Sequence, residues 1–192
     1  MPLDENSFIP STPLSELTTR QGHQLDKAAS AFQKAVRRSH LDDCLYWACE
    51  MADRYPAYCW RRIRVIVSED IGIAEPNLPA TIRALHETWS AERNEKRGDG
   101  LLYLIHAVIL LAKARKSRMV DNALYVHTAD PEYRDPPDYA LDMHTKHGRE
   151  MGRDLGHFWT EGALLGDPET GEVTVEGSIP DPYAERARRI TD

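Results

Sequence analysis

Trp60-Arg61-Arg62-Ile63-Arg64-Val65-Ile66-Val67-Ser68-Glu69-Asp70-Ile71-Gly72-Ile73-Ala74-Glu75-Pro76 is the stretch from which the rest of the chain can be read. In its first half Ile63, Ile66 and Val67 fall at i, i+3 and i+4, while Arg61, Arg62 and Arg64 take the other faces, which is a helical period. Ser68-Glu69-Asp70 then brings three polar residues into an apolar context, and Ile71-Gly72-Ile73 resumes it. Gly72 can take φ > 0 and close the helix, and Pro76 prevents its resumption. A carboxylate pair so near a core needs local donors, either backbone N–H groups or arginines. The stretch therefore predicts a helix end buttressed by polar groups, built on Ser68, Glu69, Asp70 and Gly72.

Working outward, helical patterns continue on both sides. Upstream, residues 25–38 place Leu25, Ala28, Ala29, Phe32, Ala35 and Val36 on one apolar face. A second helix is expected over 41–53, with Ser39 as its candidate cap and Asp42 favourably set against the dipole. Pro56 suits the first turn of the third helix, which ends near Gly72. Downstream, Asn77 and Pro79 start a fourth, over 78–95, exposing Arg83, Glu87, Arg93 and Lys96. Gly98-Asp99-Gly100 is a turn with Asp99 as cap. The apolar run 101–112 after it is interrupted by His106 and too short to span a bilayer, so it reads as a buried central helix. Ser117 can cap a sixth helix over 118–129. No strand pattern stands before residue 165. The fold class is all-α, a compact helical bundle with an irregular C-terminal arm.

The texture changes after Pro131. Asp135-Pro136-Pro137-Asp138 is a break, and Gly148, Gly152, Gly156 and Gly162 make a long regular helix costly. Glu172-Val173-Thr174-Val175-Glu176 alternates with period two, as a short strand or hairpin would. Residues 182–190 could form a last short helix. We therefore divide the chain into an N-terminal arm (1–18), a helical domain (19–130) and an acidic tail (131–192). Charge follows that division. Residues 14–128 carry 17 Lys/Arg against 14 Asp/Glu, whereas residues 129–192 carry 7 against 15. Such asymmetry bears on partners rather than on fold: the tail could fold over a basic face, or keep nucleic acid off it.

Three runs, in order, resemble the C-terminal helical domain of the RarA/MgsA replication-associated recombination AAA+ ATPases. Ser68-Glu69-Asp70-Ile71-Gly72-Ile73-Ala74-Glu75-Pro76 is similar to that family's SEDIGLADP motif. Phe32-Gln33-Lys34-Ala35-Val36-Arg37-Arg38-Ser39 and Asp43-Cys44-Leu45-Tyr46-Trp47-Ala48 resemble its "KsvRgSd…LYW" run. Residues 107–117, ending Ala112-Lys113-Ala114-Arg115-Lys116-Ser117, are similar to its "YLA.aPKSN", with Arg115 standing for the family's Pro and Arg118 for its Asn. The likeness covers about residues 24–127. It implies a clamp-loader-collar-like domain that supports a tetramer. The expected partner is accordingly the chain itself, as a homo-oligomer, or an AAA+ protein, with a link to DNA replication or recombination. The phosphate-binding G-x-x-x-x-G-K-[ST] of an ATPase does not occur in these residues, so non-enzymatic function without a cofactor is expected.

Other candidates were weighed against plainer readings. Lys113, Arg115, Lys116 and Arg118 form the densest basic cluster. It suits the negative end of the preceding helix, or alternatively DNA phosphates together with Arg37 and Arg38. His144, His147 and His157 could join a carboxylate in a metal site, giving a small metal-dependent enzyme as an alternative. No H-E-x-x-H or similar spacing supports that, so no metal is assigned. Glu69 and Asp70 are adjacent on a helix and do not face one another, which argues against an acid/base pair and for a structural turn. Trp47 reads as core, and Trp159 as an anchor for the tail or a partner. Cys44, Cys49 and Cys59 lack metal-ligand spacing and read as reduced thiols. The N-terminus shows no signal-peptide pattern, so a cytoplasmic location is expected.

Overall fold

The apolar face expected on the first helix is the floor of the core. The computed structural model describes residues 12–129 and 132–174, with positions 179, 181–183, 187 and 189 beyond them. They belong to two compact units, Met1–Pro131 and Glu132–Asp192. In the first, α1 (Leu25–Arg37) buries Leu25, Ala28, Ala29, Phe32, Ala35 and Val36. It packs on α2 (Leu41–Arg54), which also meets α5 (Leu101–Lys113). α3 (Pro56–Ile66) and α4 (Leu78–Asn94) close the bundle, and α6 (Met119–Ala129) follows α5. Phe32, Met51, Trp60, Ile63, Ile82, Leu104 and Leu111 are fully or almost fully buried, each contributing about 1.5–3 kcal/mol by leaving water. The all-α architecture agrees with the sequence pattern.

Two local expectations are corrected. Ser39 does not cap α2, whose first turn is preceded by His40 without a side-chain cap. Ser39 takes φ +57°. Its N–H reaches the Val36 carbonyl and the His40 N–H reaches the Ala35 carbonyl, both at 3.0 Å. That pair of bonds closes α1, and it leaves Ser39 in a left-handed conformation incompatible with starting the next helix. Trp47 is only partly buried. It lies at the edge of the core, with the His23 ring 5.1 Å away.

A buried carboxylate that the pattern did not mark ties the segment just before α1 to α2. Glu50 has no exposed surface. It accepts from Thr19 Oγ1 at 2.8 Å, and from the Gln21 backbone N–H and the Gln21 side-chain amide, both at 3.0 Å. Arg20 stands 3.2 Å from it. Burial pushes the Glu50 carboxyl up, but these donors and the Arg20 charge together outweigh it and leave the group below its ordinary value.

The turn before α5 is set by contact with Trp89. Asp99 Oδ1 accepts from the Leu101 N–H at 3.0 Å, and Gly100 follows with φ +70°. A Cβ on Gly100 would stand 2.5 Å from Trp89 Cδ1. Gly100→Ala combines that clash with left-handed strain and should cost about 1–3 kcal/mol. Gly98→Ala, which meets nothing nearer than 4.0 Å, should be close to neutral. Denaturant unfolding of both variants checks this, and equal stabilities would contradict it.

The second unit is built of short pieces, as its glycines require. After a 3₁₀ turn at Asp138–Ala140 come α7 (Lys146–Glu150) and α8 (Leu155–His157), the latter running into a π turn at Phe158–Gly162. Thr145 caps α7 by accepting from the Gly148 N–H, and Asp154 caps α8 by accepting from the His157 N–H. β1 (Leu165–Gly166) pairs antiparallel with β2 (Val173–Thr174). Val175 and Glu176 of the expected strand, and most of the helix expected over 182–190, lie outside the described residues. Among the described residues no helix is long and apolar enough to cross a membrane.

Candidate interaction site

Past Ile66 the third helix widens instead of stopping. Val67–Ile71 forms a π turn in which the Gly72 N–H reaches back five residues to the Val67 carbonyl. Gly72, at φ +48°, ends it and begins a 3₁₀ turn, Gly72–Ala74. This places Asp70 inside the protein, 1% exposed, and leaves Glu69 half-buried beside it and Ser68 exposed. Asp70 accepts from Gln33 Nε2 at 2.8 Å and from Arg37 Nε, while Arg37 Nη2 reaches Glu69 at 2.7 Å. From the other side Arg118 Nη1 stands 3.4 Å from Asp70 and 3.8 Å from Glu69, and its Nη2 pairs with Asp121. The Ser117 N–H donates to the Asp70 carbonyl at 3.0 Å. Asp70 is thus a node joining α1, the end of α3 and the start of α6. A buried charge with this many donors is compensated.

The remaining basic residues of the 113–118 cluster are also spoken for, apart from Lys113. Lys116 Nζ donates to the carbonyls of Leu111 (3.0 Å), Ala112 (3.2 Å) and Ala114, closing the C-terminus of α5. Its burial pushes the ammonium below its ordinary value, against the pull of the Asp70 charge. Arg115 donates to Glu75 at 2.9 Å and to the Ala74 carbonyl at 2.8 Å. That hydrogen bond to Glu75 holds its carboxyl below the ordinary value. Lys113 alone of the four is exposed without such a bond among the described residues.

What this node positions is α6. None of its 11 residues is buried. Met119, Leu124, Tyr125 and Val126 are each more than half exposed, Val120 somewhat less, and Ile73 on the neighbouring turn is open as well. A helix apolar on every side belongs inside a protein. Among the described residues α6 instead packs chiefly on the π turn and the Gly72–Ala74 turn, where a Cβ at Gly72 would lie 2.9 Å from Val120 Cγ2. The sequence carried the signal in Met119-Val120-Asp121-Asn122-Ala123-Leu124-Tyr125-Val126, which is nearly free of charge. Periodicity alone does not say that such a helix lies outside the core.

In the second unit the histidines do not converge. His144 Nδ1 lies 3.0 Å from Asp142 and His147 Nδ1 3.9 Å from Glu150, while His157 Nδ1 has no hydrogen-bond partner among the described residues. Among the described residues no three His, Cys, Asp or Glu side chains are placed to hold a metal ion, so the metal-enzyme alternative finds no support there. Trp159 is half-buried, with its ring edge-on to Phe158 at 5.2 Å.

A family model described as the C-terminal region of the MgsA AAA+ ATPase matches residues 38–161, from the close of α1 through the π turn and α6 into the second unit. The chain belongs to this family. Replication-associated recombination protein A of Haemophilus influenzae is 31% identical over 141 residues, and the proteins of that name from Escherichia coli and Bacillus subtilis are 32% and 31% identical over 139 and 151 residues. The matches cover 72%, 69% and 72% of this chain but 30%, 30% and 35% of those relatives. The chain thus spans about a third of the length of the proteins it matches. The family match takes in most of the first unit, including residues 67–71, and the second unit as far as residue 161.

Proposed function

We propose that this chain is a non-enzymatic association module of the MgsA C-terminal family, and that α6 with Ile73 is the surface through which copies join. The observation that carries the reading is the apolar helix without a single buried residue, held in a fixed place by the Asp70 node. Exposed apolar surface of this kind, on an otherwise charged chain, marks an interaction site. With Asp121 and His127 as its only titratable side chains apart from Tyr125, α6 suits an equally uncharged partner, and a second α6 meets that condition. The tetramer implied by the family likeness is the expected assembly. Association with an AAA+ relative through the same face, in the service of replication or recombination, is the heterologous form of this reading.

Light scattering on the full chain tests it. The wild type should elute at a multiple of 21.8 kDa. Leu124→Glu with Val126→Glu, both on exposed positions, should elute as a monomer with its melting transition retained. A monomeric wild type at about 100 μM, a concentration at which weak contacts of a few kcal/mol beyond the micromolar range would still be missed but a stable interface would not, overturns self-association.

A further inference from the structure

Charge in the first unit is segregated by helix. α1 and Arg38 after it bear Lys27, Lys34, Arg37 and Arg38 against Asp26, and α3 bears Arg61, Arg62 and Arg64 with no carboxylate. α2 has the opposite balance, Asp42, Asp43, Glu50 and Asp53 against Arg54. α1 and α3 pack on each other. Burial raises the Tyr58 hydroxyl, and the charges of Arg62 and Arg61 pull it back, so both stand close to the α1–α3 seam where Asp26 also acts.

These cations divide into two sets. Arg37 is turned inward to Glu69 and Asp70, and Arg62 donates to Gln33. Lys27, Lys34 and Arg38 face out. They stand at i, i+7 and i+11, within about 40° of one another around the helix and spread over about 16 Å along it. All three are exposed. Lys34 leans on the Ser30 hydroxyl and Arg38 on the Lys34 carbonyl, and among the described residues none of the three is paired with a carboxylate. A rigid row of like charges repels itself and is relieved by a polyanion.

We propose that this outer face of α1 binds the phosphodiester backbone of nucleic acid without regard to base sequence. Three cations over the row's length can each meet one phosphate of a strand, whose charges recur every ~3.4 Å along the helix axis. An acidic peptide is the alternative occupant, and tighter binding of poly-glutamate than of the oligonucleotide overturns the choice of nucleic acid. The face is separate from Arg115, Lys116 and Arg118, which the fold engages, and from α6.

Fluorescence anisotropy of the full chain with a labelled oligonucleotide, as single strand and as duplex, tests the proposal over about 50–200 mM salt. Lys27→Gln/Lys34→Gln/Arg38→Gln should weaken binding more than tenfold at the low end. It should also reduce the slope of log K against log salt by about 2–3, the loss of three phosphate contacts. Arg83→Gln/Lys96→Gln/Arg97→Gln, with the same net charge, should bind as wild type does. Both variants change exposed side chains, and their melting transitions confirm that they fold. Absence of binding by the wild type overturns the proposal. So does an unchanged slope in the first variant, an equal loss in the second, or a loss produced instead by Lys113→Gln. Solution mass is read separately, so failure here leaves the self-association reading standing.

Discussion

Asp70→Asn should lower the unfolding midpoint by roughly 10 °C, corresponding to about 3–5 kcal/mol. The substitution keeps the shape of the side chain and removes its charge. Arg37 Nε and Arg118 Nη1, which meet on the same oxygen, are then left sharing a neutral acceptor, with Glu69 and Asp121 as their remaining carboxylates. The Gln33 amide loses an ionised acceptor too. The cost lies at the buried end of these pairs, because Asp70 has no solvent to turn to, while Arg37 and Arg118, 30% and 40% exposed, keep part of their hydration. Glu69→Gln should cost far less, about 1 kcal/mol or under, because that carboxylate is about a quarter exposed. Because Arg37 and Asp70 share one network, Arg37→Gln/Asp70→Asn should destabilise by less than the sum of the single changes. Guanidinium unfolding of the four variants measures this. A loss below about 1 kcal/mol for Asp70→Asn would show that the node does not hold the fold together. Hydrogen exchange offers a second readout: the Ser117 amide, bonded to the Asp70 carbonyl, should exchange faster in the variant.

Glu50→Ala should be nearly as damaging, and Glu50→Gln should expose a pH dependence. The alanine variant strands Thr19, the Gln21 N–H and amide, and Arg20 at once, for a loss of about 3–5 kcal/mol. For acidity the direction follows from linkage. The folded carboxyl titrates below its ordinary value of 4.5, so its contribution is fully present above that value. It is lost as pH falls through the folded-state pKa. The gap in stability between wild type and Glu50→Gln should therefore be widest near neutrality and should close below about pH 4.5. Urea melts of both proteins at several pH values follow the difference and cancel the other carboxylates. A gap that widens on acidification would mean that the donors around Glu50 do not favour its charged form.

The helical core could be read in the sequence because its signal is periodic. Leu25, Ala28, Phe32 and Val36 repeat at helical spacing, and the structure buries each of them. Gly72 could be expected to turn left-handed because only glycine does so freely. Donors for Glu69 and Asp70 were required by physics, but which arginines supply them depends on helix packing across more than 30 residues, and no local pattern encodes it. Glu50 was missed for the same reason: its partners Thr19 and Gln21 lie 29–31 residues away, in a segment with no regular structure. Ser39 misled because serine is a common helix start, whereas the short link between α1 and α2 demands a left-handed residue at this position. The basic run 113–118 looked like one surface in sequence. In space its members point to three different acceptors, Glu75, the α5 carbonyls and Asp70.

The π turn has a bearing on which sequence changes this family fold can absorb. A π turn is a helix with one extra residue taken up in its last loop. Its effect is on phase: each residue added to or taken from an α-helix rotates everything after it by about 100°. Deleting a single residue between Val67 and Ile71 would let the helix continue regularly, with no loss of helical propensity, and would swing Asp70 away from Arg37. Substitutions at Val67 or Ile71 that keep size and apolarity should be absorbed, while the shortest possible deletion should not. The count of residues in this segment is thus held more tightly than the identity of most of them.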